Sequence, residues 1–276
     1  MKNQLNENHK KVVFFGVGAV GATFAEQFFN SKYDFKILCD NERKKRYLEE
    51  GFIINGKRYD FDYVTKDEYK QEADFIIIGL KYNNLKENIK ELDGLVGKNT
   101  VIMSLLNGVD SEEIIGERFG IEKMVYSYVT NIDAKKINNN IIHTTNGIIV
   151  FGNKDNSEDR KTNIITKVFD DVNIEYTLSK DIQRDMWWKY MVNIGVNQTS
   201  AILGAPYGVF QSSEHLRELA KSAMREVVAI AQAKDISLTE VDMFSKNICK
   251  LGKKYNIPTP INQTFFYMIK VIESRF

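Results

Sequence analysis

Apolar positions in the first half of the chain gather in short runs, and each run is followed by a stretch with apolar residues at helical spacing. Residues 11–15 form the first run, which breaks at Gly16. Val20, Phe24, Ala25 and Phe28 then share one helical face, predicting a helix over 20–29. Residues 35–39 form a second run, followed by a charged helical stretch over 41–50. Residues 52–64 alternate around Asn55-Gly56, the signature of a hairpin with a type I′ turn. Residues 75–80 and 100–106 read as buried strands, each leading into a polar helical stretch. Such strand–helix alternation predicts a parallel sheet with helices on both faces.

The pattern changes after about residue 124. Residues 124–130, 140–145 and 147–152 read as consecutive strands joined by Asn- and Gly-rich turns. A helix is expected over 159–170 and a closing strand over 173–178. From Asp181 onward the period is 3.6 and β-type runs cease. The predicted fold is therefore α/β, a doubly wound sheet in residues 1–180 followed by an all-α domain in residues 181–276.

Composition narrows the function classes. The 276 residues are 43% hydrophobic and 27% charged, as in ordinary globular proteins. Lys plus Arg number 38 against 37 Asp plus Glu, a balance that argues against a dedicated nucleic-acid partner. The apolar run at 75–80 is far too short to span a membrane, and the opening MKNQLNENHKK has no apolar core of a signal peptide. Cys39 and Cys249 form no disulfide framework, which fits a reducing cytoplasm. His9, His143 and His215 lack metal-ligand spacing, so acid–base chemistry is expected from Lys or a carboxylate, with no metal.

Gly16-Val17-Gly18-Ala19-Val20-Gly21 matches G-x-G-x-x-G between a predicted strand and a predicted helix. Gly16 permits the tight turn, Gly18 lets backbone approach a pyrophosphate, and Gly21 allows close helix–strand packing. The helix N-terminus supplies N–H donors and a partial positive charge. Asp40 lies 19 residues past Gly21 at the end of the second run, where a ribose-binding acid belongs. An acid there favours NADH and repels a 2′-phosphate. Arg43, Lys44, Lys45 and Arg46 follow at once; they form either a solvated helix face or, through Arg43, a 2′-phosphate site.

Lys189, Asn193 and Asn197 are spaced i, i+4, i+8 on a helix whose other positions include Met186, Trp187, Trp188, Met191, Val192, Ile194 and Val196. A helix so apolar is expected to be buried or wedged between domains, and polar groups on it need partners. A substrate cleft would supply them; a rim position for the Lys, with amides bonded to nearby backbone, is the plainer alternative. An ammonium suits carbonyl reduction, because it can donate the proton and stabilise charge developing on oxygen. Glu240, in Ser237-Leu238-Thr239-Glu240, reads as the Glu of a capping box or as a carboxylate accepting from a substrate hydroxyl.

These motifs together resemble the ketopantoate reductase (2-dehydropantoate 2-reductase) family over nearly the whole chain. The more specific matches are Leu80-Lys81, Leu106-Asn107-Gly108 and the W-x-K-x-x-x-N-x-x-x-N arrangement of Trp187, Lys189, Asn193 and Asn197. Further matches are His143-Thr144 with Gly147 and Phe151-Gly152, Thr239-Glu240-Val241-Asp242, and residues 256–262. The resemblance implies a Rossmann-type domain and a helical domain like that of 6-phosphogluconate dehydrogenase. It also implies NADPH-linked reduction of 2-dehydropantoate to pantoate, on the route to pantothenate and coenzyme A, and a homodimer. By similarity Lys189 is the proton donor, Asn193 and Asn197 contact substrate or position Lys189, Lys81 and Asn107 lie by the cofactor and reacting centre, and Glu240 binds a substrate hydroxyl.

Three departures accompany the resemblance. Asp40 stands where many members carry an Arg for the 2′-phosphate, which leaves NADH open beside NADPH. Lys246 stands where the family often has Gly. A helical excursion with a Ser-Ser-Met…Asp motif, one serine of which helps hold the substrate carboxylate, is missing between Lys234 and Ser237. That absence supports one alternative, a reductase of another 2-keto acid; the glycine loop alone would also serve a second, a dinucleotide-binding redox sensor without turnover.

Overall fold

The computed structural model describes residues 10–238 and 257–273. Glu240, Lys246 and Cys249 lie outside the described residues, as does the 239–242 motif. The chain divides into two compact units, Met1–Ile182 and Gln183–Phe276.

The first unit is built around β1 (Lys11–Phe15), which pairs in parallel with β2 (Asp34–Leu38) on one side and β6 (Ala73–Ile78) on the other. Successive side chains of a strand point to opposite faces, so a strand covered on both sides must be apolar throughout. Val12 and Phe14 enter one core with Phe28 and Phe35; Val13 and Phe15 enter the other with Leu38, Ile76 and Ile78. Eight strands form the main sheet, in the order β12-β11-β8-β7-β6-β1-β2-β5. Outward from β1, one arm ends in β5 (Tyr63–Val64). The other runs through β7 (Val96–Ser104) and β8 (Met124–Thr130) to β11 (Ile148–Gly152) and β12 (Tyr176–Leu178). All neighbours are parallel except β8 and β11. The chain leaves β1 toward β2 and later returns to β6 on β1's other flank. That reversal opens a crevice at the carboxyl ends of β1 and β6, where open α/β sheets bind ligands.

A second, four-stranded sheet joins two remote insertions in the order β4-β3-β10-β9. Strands β3 (Phe52–Ile54) and β4 (Lys57–Tyr59) form the expected hairpin, with Asn55 and Gly56 both at positive φ (48° and 82°). β10 (Asn140–Ile142) pairs in parallel with β3 and antiparallel with β9 (Lys135–Ile137). Strand β9 does not stand out in the sequence pattern: three residues are too few to show alternation. Aromatic rings fasten this sheet to the main one. Phe61 lies 6.1 Å from Phe35, 6.1 Å from Phe52 and 5.8 Å from Tyr59.

Helices α1 (Ala19–Phe28) and α2 (Asn41–Glu50) follow β1 and β2. Helices α3 (Tyr82–Asn88) and α4 (Ser111–Phe119) follow β6 and β7, and α5 (Arg160–Val172) precedes β12. Helix α5 starts in a full capping box: Asp159 accepts from Lys161 N (2.7 Å) and Thr162 N (3.1 Å), and Thr162 Oγ1 receives the Asp159 N–H.

Among its described residues, the second unit has helices as its regular elements, joined by turns. Helix α6 (Ile182–Val192) runs into a π-helical segment, Asn193–Asn197, and on into α7 (Gln198–Leu203). Helix α8 (Val209–Ser212) is a single turn, and α9 (Glu214–Gln232) is the longest of the described helices. Gly195 sits so close to α9 that a Cβ there would lie 2.8 Å from the Ala220 carbonyl oxygen. The last described helix, Pro260–Glu273, begins with Pro at its first position, and Glu226 of α9 accepts from Ile261 N (2.8 Å) and Asn262 N (3.0 Å). No described helix is long and apolar enough to cross a membrane.

Replacing Asp159 by Ala leaves two N–H groups of α5 without their acceptor. A loss of about 1 kcal/mol is expected, read as a lower urea midpoint with unchanged slope.

Candidate active site

The crevice at the β1–β6 reversal holds a cavity of about 580 Å³. Its walls come from the glycine loop (Phe15–Ala19), the end of β2 and α2 (Leu38, Cys39, Arg43, Tyr47), the end of β6 (Gly79, Leu80, Lys81), α3 (Asn84, Asn88), and Lys136 and Asn138 of the second sheet. Gly16 has φ +92°, and a Cβ there would strike Leu80 at 2.6 Å. A Cβ on Gly21 would lie 2.9 Å from the Gly16 carbonyl oxygen, and one on Gly79 only 2.6 Å from the same atom. Gly79 is thus a fourth glycine of the cradle, signalled in the sequence only by its place at the end of a buried run. A Cβ on Gly18 would meet nothing nearer than 3.8 Å, so its backbone lies open to a ligand. Helix α1 has Gly18 at its N-cap, no side-chain cap and no acid in its first turn. Its first N–H groups and partial positive charge, with Val17, Ala19 and Val20 around them, suit a pyrophosphate. The residues present fit a dinucleotide.

Asp40 stands beside Arg43 of the cavity wall. It is the N-cap of α2: Oδ1 accepts from Arg43 N (2.7 Å) and Oδ2 pairs with Arg43 Nη1 (3.3 Å). Arg43 lines the cavity; Asp40 does not. An Asp followed three residues later by a helical N–H carries the same sequence signature whether it caps or binds ribose, which is why spacing alone could not separate the two roles.

Lys81 stands exposed at the N-cap of α3 and reaches the cavity. Asn107 is exposed in the loop after β7. Beneath that loop lies a buried polar cluster. Ser104 Oγ and Ser111 Oγ are 2.8 Å apart, Ser111 Oγ donates to Glu112 Oε2 (2.9 Å), and Ser127 Oγ donates to Ser104 O (2.6 Å). Tyr82 OH donates to Asp110 Oδ2 (2.6 Å). Glu112 is fully buried, and burial pushes its carboxyl up to about 8. Its carboxyl is therefore largely protonated at neutral pH, and through Ser111 and Ser104 it links the start of α4 to the end of β7.

In the second unit, Trp187 is buried with its ring 5.8 Å from Tyr190, whereas Trp188 is half exposed. Lys189, Asn193 and Asn197 are all part-buried, and burial lowers the Lys189 ammonium to about 8. Asn197 Oδ1 accepts from Tyr207 OH (2.5 Å). The π segment alters the expected stripe. Four residues overshoot one α-turn, so an i, i+4, i+8 series drifts around an α-helix. A π-turn takes more residues to close, so four residues fall short of it, and the segment from Asn193 to Asn197 offsets the drift from Lys189 to Asn193. The three side chains consequently project along a straighter line than regular α geometry would give.

The fold and the glycine cradle define a Rossmann-type dinucleotide-binding protein with an appended helical unit. The family model "Ketopantoate reductase PanE/ApbA" matches residues 12–156, and its C-terminal counterpart matches 181–239 and 236–273. The chain belongs to this oxidoreductase family. The two C-terminal matches overlap at 236–239, beside the point where the sequence lacks the serine segment. A 2-dehydropantoate 2-reductase of Streptococcus pyogenes is 26% identical over 234 residues, covering 83% of this chain and 76% of that protein. The fold is shared with D-mandelate dehydrogenase, solved with NADH and anilino(oxo)acetate (TM-score 0.81, 18% identity, 96% of this chain and 99% of that one). It is shared too with a dimeric ketopantoate reductase of Staphylococcus aureus (TM-score 0.74, 19% identity, 95% and 99%).

Glu112 makes stability depend on pH in a set direction. Below its ordinary value of 4.5 both folded and unfolded chains hold the proton, and between 4.5 and about 8 only the folded chain does. Stability from this group therefore falls as pH rises across that window. Urea midpoints at pH 5 and pH 8 should differ less in Glu112→Gln than in the wild type.

Proposed function

We propose that the protein reduces 2-dehydropantoate to (R)-pantoate with NADPH, as a step toward pantothenate and coenzyme A. The observation that carries this reading is the line of Lys189, Asn193 and Asn197, straightened by the π segment, on a chain of this family. A nicotinamide cofactor supplies the hydride to the keto carbon. As the carbonyl π electrons move to oxygen, the Lys189 ammonium stabilises the developing charge and gives that oxygen its proton. Lowering Lys189 to about 8 by burial suits a group that must release a proton near neutrality. Asn193 and Asn197 orient Lys189 and the substrate. By similarity to the family, Asn107 serves at the reacting centre and Lys81 at the cofactor. Glu240 binds the substrate hydroxyl by similarity to the family.

The S. aureus relative supports a homodimer, and a small cytoplasmic 2-keto acid is the only partner the proposal requires. A second reading, reduction of a different 2-keto acid, draws on the missing serine segment and on the shared fold of D-mandelate dehydrogenase.

Initial rates on 2-dehydropantoate, aryl 2-keto acids and branched 2-keto acids, each with NADPH and NADH, distinguish the readings. A clear preference in kcat/KM for 2-dehydropantoate is expected. Preference for another acid moves the assignment to the second reading, and absence of turnover on every acid defeats both in favour of a non-catalytic redox sensor. Lys189→Met should lower kcat by roughly 10²–10⁴-fold while NADPH still binds. In the wild type the rate should decline as pH rises through about 8, where Lys189 loses the proton it must donate.

A further inference from the structure

Lys136 is the feature that the proposed reaction leaves unused. It lies on β9, part-buried, and its ammonium stands 4.5 Å from the centre of the Phe52 ring and 5.7 Å from that of Tyr47. Nζ donates to the carbonyl oxygen of Val17, in the glycine loop, at 2.8 Å. Among the described residues no carboxylate pairs with it, while Arg43 and Arg46 act on it as like charges. Lys136 and Arg43 line the same cavity, with Tyr47 and Cys39 beside them. A half-buried ammonium next to a guanidinium, without a protein counter-ion, costs stability unless an anion joins it. Asp40, which caps α2, pairs with Arg43 at 3.3 Å and so offsets part of that guanidinium's charge, which leaves Lys136 as the cation of this wall without a carboxylate partner among the described residues.

We propose that Lys136 is a cofactor-specificity residue: with Arg43 it holds the phosphate on the adenosine ribose, so that the chain prefers NADPH although Asp40 ends β2. The second sheet thereby contributes the cation that the β2–α2 turn lacks. The proposal rests on the reading of this cavity as a nicotinamide dinucleotide site, and it does not depend on the substrate.

The groups around Lys136 are Arg43 and Arg46 of α2, with Asp40 paired to Arg43, and the rings of Tyr47 and Phe52; Cys39 and Lys81 line the same cavity. Burial pushes the Cys39 thiol up to about 11 and raises the Tyr47 phenol, so both stay neutral between pH 7 and 9. A phosphate monoester is already doubly ionised there. Lys136 itself, lowered to about 8, titrates within that window.

The test is equilibrium binding of NADPH and NADH, without substrate, to the wild type, Lys136→Met, Lys136→Arg and a surface control, Lys45→Met. Thermal melts establish that each variant is folded. Lys136→Met should weaken NADPH by roughly 10- to 100-fold, the range of one charge-assisted hydrogen bond, and leave NADH nearly unchanged. Lys136→Arg should restore the preference, and Lys45→Met should keep it. The NADPH-over-NADH ratio of the wild type should fall between pH 7 and 9, and that of Lys136→Arg should stay level. Equal weakening of both nucleotides in Lys136→Met would reduce Lys136 to a brace for the glycine loop and overturn the proposal, as would no change in either. Wild-type protein that binds neither nucleotide would instead overturn the cofactor reading, and this proposal with it. Nucleotide binding with the expected selectivity but no turnover of 2-dehydropantoate would leave the Lys136 assignment standing and reject only the substrate.

Discussion

Three backbone segments meet at one carbonyl oxygen, that of Gly16. The turn after β1 provides it, Gly21 of α1 approaches it from one side, and Gly79 at the end of β6 approaches from another, with no room for a Cβ at either contact. Any side chain there would force the strand ends and the helix apart by tenths of an ångström or more, against a core packed as densely as a crystal. The crevice, the orientation of α1's open N-terminus and the reach of Leu80 over Gly16 all follow from this closeness. The constraint is steric, not attractive. It works because β1 is buried on both faces and cannot shift to relieve it.

Much of this was legible in the sequence. Runs such as Val12–Phe15 and Phe75–Ile78 are apolar without interruption because both faces of the central strands are covered, and glycines at fixed offsets marked the turn. Asn55-Gly56 announced its hairpin because two successive left-handed residues are rare outside it. Other features were not legible, for physical reasons. Strand β9 is three residues long, and its partner sheet is assembled from segments that no local window contains. Asp40 satisfies a helix cap and a ribose acid with one spacing. The π segment cannot be read from periodicity, which assumes the α-turn it departs from.

Two lysines, one in each unit, are held near the edge of their charged state by burial. Their surroundings differ. Lys136 rests on aromatic faces, whose negative quadrupoles tolerate a cation without donating or accepting a proton. Lys189 lies on a helix with an amide placed a turn away, where the reaction proposed above has it pass a proton to the substrate. In the roles proposed above, the same depressed basicity serves anion binding in one place and proton donation in the other.

The second sheet has a consequence for folding. Its core pairing, β3 with β10, is reinforced by His143 N donating to Asn55 Oδ1 at 3.0 Å across 88 residues of sequence. Closing so long a loop is entropically slow and is rewarded only when both ends arrive. The wall that carries Lys136 therefore rests on a pairing of greater sequence separation than that of β1 with β6. Nucleotide in solution acts on the folded unit alone, drawing the equilibrium toward it by mass action and guarding that sheet against local opening.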